Sequence, residues 1–242
     1  MDFLSQIING LHVGSIYALV ALGYSMVYGI VQLINFAHGD LIMVGGYAAY
    51  VVLVMGGMPL VVAVLGSIVA CVVIALLMER IAYRRLLNRN VARISLLITA
   101  IGVSYFLQNV ALLIFGANTK AFTSVVTVPA ISLAGGQIII TGETIVTIIS
   151  CIVIMVGLTL FVNKTKAGQA MQAVSEDRGA AQLMGINVNG TISLTFAIGS
   201  ALAAIAGMLL CSSYPALTPY TGSMPGIKAF VAAVFGGSGS IP

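Results

Sequence analysis

Acid–base, metal or phosphate chemistry in this 242-residue chain would have to come from six carboxylates, two histidines and three cysteines, and their spacing argues against it. The carboxylates are scattered and form no paired acidic site. No HExxH or GxxxxGK[ST] is present, and the GGSGS at 236–240 lacks the lysine that would contact a phosphate. Cys71, Cys151 and Cys211 lie in apolar runs, with no Cys or His at metal-ligand spacing. The sequence therefore predicts no catalytic residue, no metal site and no cofactor held by this chain. Any ATP hydrolysis would belong to a separate subunit.

The densest group of functional side chains is the stretch QLINFAHGDLIMVG, residues 32–45, where Asn35, His38 and Asp40 stand beside apolar runs. Ionisable groups at membrane depth are costly and mark functional sites, and a histidine there can titrate near neutrality. The plainer reading is that Asp40 caps a helix and His38 sits among lipid headgroups. His12 raises the same question with fewer polar neighbours. Tyr17, Tyr24, Ser25, Tyr105, Gln108 and Asn109 are further polar groups inside apolar runs. They either line a solute path or bond between helices. The candidate path is Tyr17, Tyr24, Asn35, His38, Tyr105 and Asn109.

The elements that position these groups follow from composition. The chain is 60% hydrophobic and 7% charged, with a mean hydropathy of +1.13. Soluble domains carry about 25% charged residues, so most of this surface must face lipid. Seven apolar runs read as spans: 7–34, 40–56, 59–79, 94–115, 143–162, 191–211, and one from Pro225 to the end. The first two could break or re-enter the membrane. Arg80, Arg84, Arg85, Arg89 and Arg93 form one basic loop, and Lys164, Lys166 and Arg178 another. Two spans separate these loops, which places both in the cytoplasm and the N-terminus outside. The net charge of +4 is thus a topology signal and implies no nucleic acid. No basic n-region precedes the first run, so it is expected to stay as a membrane helix.

The fold class expected is all-α: a polytopic transmembrane helical bundle with a small extracytoplasmic β-hairpin and a short cytoplasmic helix. The hairpin is read from TSVVTVPAISLAGGQIIIT, residues 123–141, with a turn at Gly135-Gly136. Gly10, Gly14 and Ala18 form one small-residue face suited to helix packing, and Gly199, Ala203 and Gly207 form another. Residues 1–242 read as a single transmembrane domain. The half-span ending in GGSGSIP suggests a chain cut at its C-terminal end.

The cytoplasmic helix is read from AVSEDRGAAQLMGINVNG. Ser175 serves as N-cap, Glu176 and Asp177 fall in the first turn, and Gly185 stands at C′, delimiting about nine residues. Val174, Ala180, Leu183 and Met184 give it an apolar side. Such a helix either docks on a cytoplasmic motor or lies on headgroups, and local chemistry leaves the two readings level.

Residues 14–50, GSIYALVALGYSMVYGIVQLINFAHGDLIMVGGYAAY, resemble the opening of the branched-chain amino-acid permeases of ABC importers. AVSEDRGAAQLMGINV (173–188) resembles their coupling segment, and PGIKAFVAAVFGGSGSIP (225–242) their late Gly-rich segment. The blocks come in the family's order, and relatives continue beyond the last. The resemblance implies an inner-membrane permease subunit that translocates leucine, isoleucine, valine or a similar solute. It also implies an extracytoplasmic binding protein, a second homologous permease or second copy, and two cytoplasmic ATPase subunits that use ATP. Ser175, Glu176, Asp177, Arg178, Ala180, Leu183, Met184 and Gly185 would then couple to the ATPase. A permease for urea or short amides shares the same turn. A proton- or ion-coupled transporter or channel using His38 and Asp40 is the alternative of another class.

Overall fold

The computed structural model describes residues 2–31, 35–87, 89, 91–122, 129–133 and 138–237. Helix α1 (Asp2–Val31) is followed by α2 (His38–Tyr50), which ends in a π-helical turn over Val51–Met55. Helix α3 (Leu60–Met78) passes through a second π-helical turn (Glu79–Tyr83) into α4 (Arg84–Leu87). Helix α5 covers Arg93–Phe115 and α6 Gly142–Lys164. Two short helices follow, α7 (Lys166–Glu176) and α8 (Arg178–Leu183), before α9 (Val188–Ser213) and α10 (Ser223–Phe235).

Among the described residues six helices are long and apolar enough to cross a bilayer: α1, α2 with its π turn, α3 through α4, α5, α6 and α9. The seventh expected span is shorter, because α10 has 13 residues where a crossing needs about 20. The third span is longer than expected. Its helix continues through Arg80, Arg84 and Arg85, so half of the first basic loop is helix end.

Burial sorts the spans. The central one is α9, with 72% of its most apolar window buried, whereas α3, α5 and α6 reach only 17–22%. The most hydrophobic spans, α3 and α6, are among the most exposed, as expected where the solvent is lipid. Helix α2 is packed by α9, α3 and α10. Its contact with α9 is close enough to require glycine. A Cβ on Gly45 would stand 2.8 Å from Cα of Ala204, and one on Gly207 would strike the carbonyl oxygen of Ile42. Gly199 faces Val27 and Gly23 of α1 across the same helix, and Ala203 is fully buried. Gly10 and Gly14 of α1, by contrast, have nothing within 4 Å of a would-be Cβ, and Ala18 is half-buried.

Polar ties join the helix ends. His12 Nδ1 meets Thr144 Oγ1 at 2.7 Å and its Nε2 meets Ser213 Oγ at 2.8 Å, so the first part of α1, the start of α6 and the end of α9 share one side. There β1 (Lys120–Ala121) pairs antiparallel with β4 (Ala216–Leu217), joining the segments after α5 and α9. A second pair, β2 (Ile131–Leu133) with β3 (Ile138–Ile140), is the expected two-stranded hairpin. Its Gly135-Gly136 turn lies outside the described residues, as does the end of GGSGSIP. At the opposite end Arg178 Nη2 donates to the Val31 carbonyl at 2.6 Å, and Arg84 Nη2 to Ser193 Oγ at 2.7 Å. The two basic groups of the sequence thus lie at one end of the bundle.

Gly207→Val should lower stability by about 2 kcal/mol, because the added methyls have no room against the α2 backbone. Gly14→Val, on an open face of α1, should not lower it by a comparable amount within the isolated chain. Thermal unfolding of both purified variants, followed by circular dichroism, checks the difference.

Candidate functional site

The chain turns back into the bundle at Asn35–Ala37, and α2 starts there among buried residues. His38 is 1% exposed. Its ring fills the notch left by the missing side chains of Gly23 and Gly199 and packs edge-on against Tyr24, with centroids 4.6 Å apart. His38 is thus enclosed by protein, in a cleft that the two glycines leave open. Asp40 does not cap α2 either, since the N-cap position is Ala37 and no side chain caps it. Asn35 is buried and accepts a 2.8 Å bond at Oδ1 from the Tyr83 hydroxyl of the π turn after α3.

Asp40 points to a different neighbour. Its Oδ1 accepts from Gln108 Nε2 of α5 at 2.9 Å. The same amide nitrogen lies 3.3 Å from Ser104 Oγ and 3.3 Å from Ser223 Oγ at the start of α10. These groups border an open cavity of about 320 Å³ between α2, α5 and α10, whose outer wall is exposed. Phe36, Ile101, Tyr105 and Ile227 complete its wall. The α10 start is pressed onto α2 here, because a Cβ on Gly222 would strike the Gly39 carbonyl oxygen and one on Gly226 would stand 2.7 Å from Gly39 Cα.

The structure thus divides the candidate path. Tyr105 lines the cavity. Tyr24 and His38 pack behind it, and Asn35 bonds towards α3. Asn109 is exposed and donates to the Tyr105 carbonyl of its own helix. Tyr17 lies on another face, with Lys228 Nζ of α10 5.8 Å from its ring centroid. Among the described residues no hydrogen bond links His38 to Asp40. Sequence reading missed Ser104, Ser223 and Lys228. A lysine in the apolar run after Pro225 was a usable signal for the last; the two serines gave none, being common in membrane helices.

At the basic end of the bundle the short-helix segment is built differently from the expectation. Two helices replace one of about nine residues. Thr165 caps α7, its Oγ1 accepting from Gly168 N at 3.0 Å. Ser175 is not an N-cap: it lies in the last turn of α7, where its hydroxyl donates to the Gln172 carbonyl. Glu176 ends that helix. Asp177 is extended, and its Oδ1 accepts from Gly179 N at 2.7 Å and Ala180 N at 3.1 Å, so it starts α8. A short carboxylate competes for backbone N–H groups and breaks the run at that point. Gly185, at φ +83°, ends α8, and Ile186 N donates back to the Ala181 carbonyl.

Within α8 Ala181 is buried against the bundle, while Ala180 is exposed and Leu183 and Met184 are 90% and 83% exposed. Val174 packs inward from α7. Burial holds the Arg178 guanidinium below the usual arginine range, yet it remains a donor to the last carbonyl of α1. At the same end of the bundle, Glu79 is buried and held by Arg84 in a two-point pair, both contacts at 2.9 Å, with Ser193 Oγ donating at 3.0 Å.

The chain matches the family described as the branched-chain amino acid transport system permease component over residues 6–242. It is 43% identical to the high-affinity branched-chain amino acid transport system permease protein BraD of Pseudomonas aeruginosa, covering 99% of this chain and 81% of that one. It is likewise 43% identical to LivH of Escherichia coli K12, a permease protein of the same description, over 99% of this chain and 80% of the relative. A probable branched-chain amino acid permease of Methanocaldococcus jannaschii is 30% identical over 92% of this chain and 70% of its own length. No solved structure matches it.

Glu79→Gln should cost about 2 kcal/mol, since it removes the charge partner of the half-buried Arg84 and weakens a two-point charged hydrogen bond. Ser193→Ala removes one hydrogen bond and should cost about 1 kcal/mol. Thermal melts of the two variants should rank them in that order.

Proposed function

The chain belongs to the branched-chain amino acid transport permease family, and from that premise we propose that it is the membrane-spanning subunit of an ATP-driven importer for leucine, isoleucine and valine. The solute would arrive from an extracytoplasmic binding protein. A second permease, homologous or identical, would complete the path, and two cytoplasmic ATPase subunits would drive it. On this reading the basic end of the bundle faces the cytoplasm and the N-terminus lies outside, because eight of the ten Lys and Arg residues (Arg80, Arg84, Arg85, Arg89, Arg93, Lys164, Lys166, Arg178) cluster at that end. The inner membrane is its place, and 1–242 acts as one permease domain.

The observation that carries the proposal is α8. A helix of six residues presents Leu183 and Met184 to solvent at the charged end of the bundle. It is tied back to the last carbonyl of α1 by Arg178. Exposed apolar pairs of this kind anchor a partner. A push on α8 reaches α1 directly through Arg178, and reaches α9 through the turn that Gly185 closes and Asn187 reopens as N-cap. Helix α9 is the centre of the bundle, so its displacement shifts every span packed on it. Glu176 and Asp177 lie exposed beside α8 and suit a basic rim on the partner. ATP would be bound by the partner, leaving this chain without a cofactor.

The urea or short-amide reading keeps the same machine with another cargo. A proton- or ion-coupled transporter or channel would use His38 and Asp40 together, but among the described residues no hydrogen bond links the two, and His38 packs against Tyr24, Gly23 and Gly199 while Asp40 lines the cavity.

Two outcomes test the assignment in proteoliposomes holding the full complex, with loaded binding protein outside and ATP inside. Leu183→Asp with Met184→Asp should abolish leucine uptake and release the ATPase subunits on purification, with the permease still folded, because both side chains are already in solvent. Arg178→Ala should leave the ATPase attached and active but lower leucine delivered per ATP by about tenfold, the effect of losing a charged hydrogen bond. Wild-type uptake without ATP would refute the importer reading.

A further inference from the structure

The cavity between α2, α5 and α10 holds the makings of a site for a zwitterion with an aliphatic side chain. Asp40 is 2% exposed, yet only one of its carboxylate oxygens is used: Oδ1 takes the Gln108 amide, while Oδ2 has no hydrogen-bond partner among the described residues. A buried carboxylate with an empty oxygen is costly at membrane depth, and no cationic side chain is among the residues that line the cavity. A cationic ligand offsets that cost.

The rest of the wall suits the other parts of an amino acid. Ser223 already accepts from Gln108, so its hydroxyl hydrogen is left to donate. It stands at the first turn of α10, where no side chain caps the helix and the Met224 N–H is one of the orphan donors. Ile101 and Ile227 are apolar walls on either side. At about 320 Å³ the space suits a solute of leucine's size, within the range typical of small-molecule sites.

We propose that this cavity is the solute station of the permease: the Asp40 carboxylate receives the α-ammonium of the amino acid, Ser223 and the start of α10 receive its carboxylate, and Ile101 and Ile227 hold its side chain. The proposal rests on the importer reading and deepens it. Gln108 acts as a positioning residue, holding Asp40 through Oδ1 at the cavity wall and leaving Oδ2 covered and without a partner. In this arrangement the permease reads the two charges that all α-amino acids share, and the aliphatic wall adds a preference for branched side chains. Urea, which carries no ammonium, gains nothing from Asp40.

The test is equilibrium binding of radiolabelled leucine, up to millimolar concentration, to the purified complex of permease and ATPase subunits without the binding protein. The expected result is saturable binding displaced by leucine and by leucinamide, which keeps the ammonium, and at least about tenfold less well by 4-methylpentanoate, which lacks it. Asp40→Asn should weaken leucine binding by a similar factor, and Asp40→Glu should recover part of it. Should Asp40→Asn fail to assemble, the competitor series on the unaltered complex and Ser223→Ala, expected to weaken leucine more than leucinamide, carry the test. Equal displacement by 4-methylpentanoate and leucinamide, unchanged affinity in Asp40→Asn, or no saturable binding in a complex that still imports leucine with ATP and binding protein would each overturn the site. Loss of ATP-dependent import from the unaltered complex would instead strike at the importer reading.

Discussion

The close approach of α2 to α9 is the contact on which the rest of this bundle depends. In lipid no hydrophobic effect drives helices together, so association relies on packing and on polar groups shared between backbones. Gly45 lies against Ala204, and Gly207 against the Ile42 carbonyl, with no space for a side chain at either point. Once α2 is seated, its exposed carbonyls become anchors. Ser67 Oγ of α3 donates to the Gly45 carbonyl at 3.0 Å, and Cys71 Sγ to the Leu41 carbonyl at 3.4 Å. Gly39 then receives the start of α10, and Asp40 receives Gln108 of α5.

This seating also explains why ionisable groups are tolerated at the start of α2. His38 is enclosed by Gly23, Gly199 and Tyr24, so its place is set by shape. Asp40, two residues on, faces the other way, towards the cavity. One turn of helix therefore carries a packing residue on one side and a candidate ligand group on the other. Motion of α9 would bear first on His38, which lies against Gly199.

Part of this was readable in the residues. Apolar run length and low charge fixed the membrane class, since few other structures can satisfy a backbone in lipid. Five of the six long spans fell within a few residues of their expected bounds. The third did not, because the arginines after Met78 look like a loop when counted by hydropathy, yet they continue the helix, with Arg84 paired to Glu79 and donating to Ser193. The break at Asp177 was misread for a similar reason: Ser175, Asp177 and Asn187 are all acceptable caps by type, and only the backbone around each one selects Asp177 for α8.

What the sequence determined by itself was the solvent, the places of the six long apolar segments, the charge asymmetry of their ends and the resemblance to a transport family. These are properties of local composition, and they survive any arrangement of the spans. Which small-residue face is used was decided by tertiary structure: Gly199, Ala203 and Gly207 face neighbours, whereas Gly10 and Gly14 face open space in this chain. Tertiary structure also decided that His38 is enclosed while Asp40, with Gln108 and Ser223 from residues 68 and 183 positions further on, borders a cavity. The physical reason is that helix periodicity states which residues share a face but not which helix meets it. In a bundle where every span is apolar, the partner is chosen by the fit of backbone against backbone.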